Sequence, residues 1–129
     1  MNKLIMVIND TQEILELFED ILTDAGYRVS LHAYSTRDLA DVVRVRPDLI
    51  ISDHPPLREE QGWQFLQKPK MNRETADIPL IVCTTNTRLI QDNEGWLTSK
   101  GVLVIPKPFV IDELLAAVEQ VLGKADRQP

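Results

Sequence analysis

Residues 47–53 read PDLIISD. Pro47 cannot continue a helix, and the residue before it is biased towards extended backbone. The apolar run Leu49–Ile51, closed by Ser52, is continuous rather than alternating, so it reads as a strand buried on both faces. It ends at a carboxylate, Asp53. A strand covered on both sides implies a sheet between two helical layers. In sheets of that kind ligands gather beyond the carboxyl ends of the strands. The residues that follow each strand are therefore where chemistry is expected.

Three other runs have the same character: Leu4–Ile8 (LIMVI), Leu80–Thr84 (LIVCT) and Val102–Ile105 (VLVI). Tyr27–Ala33 is more polar and reads as a strand nearer an edge. Helical spacing separates the strands. Asp10 and Glu13 open a segment whose apolar positions are Ile14, Leu17, Phe18, Ile21 and Leu22, closed by Gly26. Ser35 caps a second helix, with Leu39, Val42 and Val43 on one face, which Pro47 stops. A third surrounds Trp63, Phe65 and Leu66 and ends at or kinks near Pro69. Arg88–Ser99 is a weaker one, because Gly95 lowers helix propensity. The last is the clearest: Ile111, Leu114, Leu115, Val118, Val121 and Leu122 form one stripe, with Asp112 and Glu113 at its start and Gly123 at its end.

Five strands thus alternate with five helices, which predicts an α/β fold with a doubly wound five-stranded parallel sheet. The residues alone leave the strand order open. The order 2-1-3-4-5 is the one common to flavodoxin-like sheets as a class, and it is expected here on that ground. One domain is expected over residues 1–123, with a short tail at 124–129.

The bulk properties fit that reading. A chain of 129 residues with 43% apolar composition can bury one core. It has no run of eighteen apolar residues, which argues against a membrane span. Its start, MNKLIMVIND, lacks the features of a signal peptide. The single cysteine, Cys83, excludes an internal disulfide, and a cytoplasmic location is expected. The net charge of −6 argues against direct nucleic-acid binding.

At the strand ends stand Asn9 and Asp10, then Asp53, Thr84 and Lys107. Two carboxylates, an amide, a hydroxyl and an ammonium at one edge suit phosphoryl transfer. A carboxylate serves as nucleophile, a hard divalent cation takes oxygen ligands, and a hydroxyl and an ammonium hold phosphoryl oxygens. Some neighbours have plainer readings. His54 reads as an exposed loop residue, and Cys83 as a core thiol. Trp63 and Trp96 read as packing residues, with Trp96 also a candidate for a partner surface.

The segments IMVIND, PDLIISD, TADIPLIVCTT and GVLVIPKPF, in that order, resemble the four signature regions of response regulator receiver domains, the CheY-like modules of two-component signalling. The resemblance covers nearly the whole chain. It implies that Asp53 accepts a phosphoryl group from a sensor histidine kinase or a phosphotransfer protein. It implies that Asp10 and Asp53 ligate Mg²⁺ or Mn²⁺, joined by the Pro55 carbonyl and, through water, by Asn9. Thr84 and Lys107 would hold phosphoryl oxygens, and the Lys107–Pro108 peptide would be cis. The signal would pass to a protein partner through the face made by the fourth helix, fifth strand and fifth helix. Such a domain is not a conventional enzyme, but takes part in its own aspartyl phosphorylation and dephosphorylation.

Four positions depart from the family pattern. Asn9 stands where a carboxylate is usual, which implies weak metal binding. Leu57 stands where proline is usual, Gly62 falls one residue late, and Val104 replaces the aromatic residue that swings inward on activation. These departures support a second reading, a pseudo-receiver that binds a partner without phosphorylation. A flavin- or dinucleotide-binding enzyme is disfavoured, because NDTQEI after the first strand has no glycine.

Overall fold

The structure is a computed structural model that describes residues 3–9, 11–32, 39–53, 73, 75–84, 87–92, 94–108 and 110–123. The described residues form five strands: β1 Leu4–Ile8, β2 Arg28–His32, β3 Leu49–Asp53, β4 Leu80–Thr84 and β5 Val102–Pro106. All pair in parallel, in the order β2-β1-β3-β4-β5. The described helices are α1 Gln12–Asp24, α2 Leu39–Val45, α3 Thr87–Asp92, α4 Glu94–Ser99 and α5 Ile111–Leu122. The doubly wound flavodoxin-like sheet expected from the sequence is therefore the observed one.

Period-two alternation divides the strands between two cores. Ile5, Val7, Leu49, Ile51, Ile81, Cys83 and Ile105 pack with Leu15, Phe18 and Leu22 of α1 and with Leu114, Ala117 and Val118 of α5. Met6, Ile8, Ile50, Leu80, Val82 and Val102 face the other way, towards Val42 of α2 and Leu97 of α4. β1, β3 and β4 are apolar on both faces for this reason. β2 is an edge strand with half-buried residues, as its polar sequence required. Cys83 is fully buried in the first core, so its thiol is packing.

Several boundaries differ from the expected ones. α1 begins at Gln12 with Thr11 in the N-cap position, rather than at Asp10. Within the segment expected as a helix over Arg88–Ser99, α3 and α4 are helical on either side of residue 93, which lies outside the described residues. β5 runs on to Pro106, one residue past the expected end. The Lys107 N–H donates to the Thr84 carbonyl at 2.9 Å. Alternate residues of a parallel ladder face the same neighbour, so Pro106 faces the open edge, where no N–H is needed. The helix expected around Trp63, Phe65 and Leu66, the Ser35 cap and the tail at 124–129 lie outside the described residues. No helix among the described residues is long and apolar enough to cross a membrane.

α2 stops where Pro47 requires, through an arginine in left-handed backbone. Arg46 has φ 50°, and its N–H donates to the Val42 carbonyl at 2.9 Å. This conformation costs a side-chain-bearing residue about 1 kcal/mol that glycine avoids. Arg46→Gly should therefore raise stability by roughly 0.5 kcal/mol, after the entropy that glycine loses on folding, and Tm by about 2 °C. A fall in Tm on thermal melting would mean that the exposed Arg46 side chain contributes more than the backbone strain costs.

Candidate phosphoryl-acceptor site

The register fixes which strand ends meet. Ile8 pairs with Ser52, Ser52 with Val82, and Val82 with Val104, making one row across the sheet. One residue further on, Asp53 pairs with Cys83, and Asn9 follows Ile8 on the adjoining strand. Thr84 pairs with Pro106, and Lys107 comes next. Asn9, Asp53, Thr84 and Lys107 therefore gather at the carboxyl edge of four neighbouring strands. Strand order reverses between β1 and β3, so the crevice between Asn9 and Asp53 is the switch point where such sheets bind ligands.

Burial differs along this edge. Asn9 is 4% exposed, Thr84 1% and Ser52 0%, whereas Lys107 is half-buried. Deep hydroxyl and amide groups with a partly solvated ammonium at the rim suit an anion that arrives from solvent. The main chain is held by its own bonds: the Asn9 N–H donates to the His32 carbonyl at 3.0 Å, and the Lys107 N–H to Thr84. The Lys107–Pro108 peptide is cis, as the resemblance implied.

Sequence reasoning gave Asn9 a role towards a metal-bound water and missed what its side chain does here. The Thr11 N–H donates to Asn9 Oδ1 at 2.7 Å, a bond that spans residue 10. An asparagine two residues before a helix N-cap was the available signal, because asparagine bonds its own backbone two residues on. Ser52, fully buried beside Asp53, was also passed over. Its signal was a lone hydroxyl ending an apolar run.

Asp10, His54, Pro55, Leu57, Gly62 and Trp63 lie outside the described residues, and Asp53 is described by its backbone alone. Val104 and Trp96 are half-buried and pack against the second core. Of the side-chain types gathered here, Asn9, Asp53 and Thr84 offer oxygen, as do the Asp10 side chain and the Pro55 carbonyl that the sequence adds. That chemistry fits Mg²⁺ or Mn²⁺ rather than a metal that prefers sulfur or imidazole.

A family model described as the response regulator receiver domain matches residues 5–119. The chain is 33% identical over 125 residues to the DNA-binding dual master transcriptional regulator RpaA of Synechocystis, a match covering 97% of this chain and 51% of that protein. It is 27% identical to sporulation initiation phosphotransferase F of Bacillus subtilis, covering 95% of each. The chain thus spans about half the length of the first relative and nearly all of the second. Among solved structures it resembles the chemotaxis response regulator CheY4 of Vibrio cholerae. The TM-score is 0.77 at 28% identity, over 95% of this chain and all of the other. With residues 5–119 matched to the family and the sheet order in agreement with its fold, the chain belongs to the response regulator receiver domain family.

Proposed function

We propose that this domain accepts a phosphoryl group on Asp53 from a phosphohistidine and relays the signal to a protein partner. The observation that carries the reading is the strand register, which brings the Asp53 backbone beside Asn9 and one residue from the Thr84–Lys107 pair. A carboxylate oxygen of Asp53 attacks phosphorus, the new P–O bond replaces the P–N bond, and the imidazole leaves with the electron pair and takes up a proton. Lys107 neutralises one phosphoryl oxygen and the Thr84 hydroxyl donates to another. Asp10, Asp53, the Pro55 carbonyl and, through water, Asn9 would hold Mg²⁺ or Mn²⁺, which would supply charge neutralisation for the transferring group. Because Val104 has no ring and few rotamers, the response to phosphate runs through the segment after Thr84. From there it biases the surface of α3, α4, β5 and α5. A groove of about 320 Å³ on that surface, lined by Val104, Pro106, Ala116, Ala117 and Gln120, supports its use by a downstream protein. Phosphorylation by a small phosphodonor, read by intact mass with and without Asp53→Asn, tests the reading.

A donor protein must dock near the same edge. The exposed large apolar residues among those described are Leu17 of α1, Val110 and Ile111, at 51%, 60% and 51% exposure. Val110 and Ile111 closely follow Lys107. α1 carries Glu13, Glu16, Glu19, Asp20 and Asp24 and no basic residue; α5 carries Asp112, Glu113 and Glu119 and none. A donor surface that is apolar at its centre and basic at its rim fits this pattern. The double variant Leu17→Ala, Ile111→Ala should slow transfer from a phosphorylated histidine phosphotransfer protein about tenfold and leave acetyl phosphate uptake unchanged. Equal loss with both donors would place the defect at Asp53 instead of the docking surface.

Beside the sequence departures at Asn9, Leu57, Gly62 and Val104, one structural observation favours the pseudo-receiver reading, the neutral Asn9 engaged by the Thr11 amide. Absence of any mass shift at high Mg²⁺ would select it.

A further inference from the structure

A cavity of about 440 Å³ opens where the chain enters β3 and β4. Among the described residues, Val42, Val43, Arg46, Pro47, Thr75 and Ile78 line it. Pro47 and Ile78 precede the strands that Asp53 and Thr84 end, so the cavity and those two residues lie at opposite edges of the sheet. Two strands of five residues separate the edges, a span of roughly 17 Å. The volume is that of a small-molecule site, and four of the six lining residues are apolar. The walls are fixed. Val42 is fully buried in the second core, and Pro47 is buried and rigid. Thr75 is buried, and its carbonyl accepts the Ile78 N–H at 3.1 Å, which closes a turn.

Arg46 is the one charged residue in this lining, and it is exposed. Its guanidinium makes no hydrogen bond or ion pair among the described residues. The carboxylates nearest in sequence are engaged elsewhere. Asp48 accepts the Leu4 N–H at 2.8 Å, and Asp77 lines a separate cavity with Ser99 and Lys100. The arginine is also held at φ 50°, although the residue before a proline favours extended backbone. Glycine would hold this turn at less cost, and residues kept in such backbone cluster at ligand sites. The end of α2 does not require the charge, because Arg44 already supplies a cation in its last turn.

We propose that this cavity binds a small carboxylic acid: its apolar body lies against Val42, Val43, Pro47 and Ile78, and its carboxylate pairs with the Arg46 guanidinium. A planar guanidinium matches a carboxylate through two parallel hydrogen bonds. The last carbonyls of α2 carry partial negative charge beside Arg46, which favours a singly charged head over a phosphate dianion. The site is independent of phosphoryl acceptance at Asp53.

The experiment titrates the ¹⁵N-labelled full chain with 2-naphthoate, 2-naphthylmethanol and 2-naphthyl phosphate, which share one body and differ in the head. The Arg46→Gly and Arg46→Lys variants are treated alike, and thermal melts check that each is folded. Saturable shifts with 2-naphthoate should centre on the Val43, Arg46 and Ile78 amides. Arg46→Gly should weaken 2-naphthoate about tenfold and leave the neutral alcohol unchanged. Arg46→Lys, a point charge without the fork, should recover part of the loss. The phosphate should bind no more tightly than the carboxylate. Absence of saturable shifts up to about 20 mM 2-naphthoate, a concentration that detects even weak binding, would overturn the proposal. So would shifts centred elsewhere, equal 2-naphthoate affinity in folded Arg46→Gly, or tighter binding of the phosphate.

Discussion

Lys107→Ala should slow uptake of a phosphoryl group by about 10²- to 10³-fold, the usual loss when one charged donor to a transferring group is removed. Folding should barely notice. The strand bond at this position is made by the Lys107 backbone N–H to the Thr84 carbonyl, which alanine keeps. The side chain is half-buried and follows the end of β5, outside both apolar clusters. Substitutions in such places change stability by roughly 0.5 kcal/mol or less, about 2 °C in Tm. A time course of intact mass with acetyl phosphate, set beside a thermal melt, separates the two effects. A large loss of stability with uptake intact would show that the lysine holds the fold together and does not serve the phosphoryl group.

Most of the sheet was legible in the sequence because its strands are buried on both faces. LIMVI, LIIS and LIVCT contain no polar residue before their last position, which is the pattern of a strand covered on both sides. The carboxyl ends of those strands and of VLVI then named Asn9, Asp53, Thr84 and Lys107 as neighbours, and the register places their backbones together. The order of the strands was not legible. Pairing is a tertiary matter, and the apolar runs of β1, β3 and β4 are interchangeable by composition, so the order came from the likeness to flavodoxin-like sheets.

The discrepancies are local and have local causes. The extension of β5 to Pro106 depends on which side of the strand faces open edge, and a sequence does not state that. The start of α1 falls later than the Asp10 at which the sequence opens the segment, because the Asn9 side chain bonds the Thr11 N–H and Thr11 takes the N-cap position. The left-handed Arg46 had no sequence signal, since glycine or asparagine is the usual residue there.

The second large effect is Asp53→Asn, which should abolish phosphorylation altogether. Asn keeps the size and shape of the side chain but replaces the nucleophilic carboxylate by an amide. Asp53 ends β3 opposite Cys83, and its backbone pairing is unaffected by that exchange. Tm should therefore move little, and any loss of uptake reports the chemistry of the side chain. Phosphorylation of another carboxylate, such as Asp10, would reveal itself as residual mass gain in the variant.

Incubation of the full chain and its Asp53→Asn variant with acetyl phosphate and excess Mg²⁺, followed at once by intact mass, tests the central claim most directly. The expected result is a gain of one phosphoryl group on the wild-type chain, lost on removal of the donor as an acyl phosphate hydrolyses, and no gain on the variant. An unmodified wild-type chain, or an equal gain on both proteins, would contradict phosphoryl acceptance at Asp53.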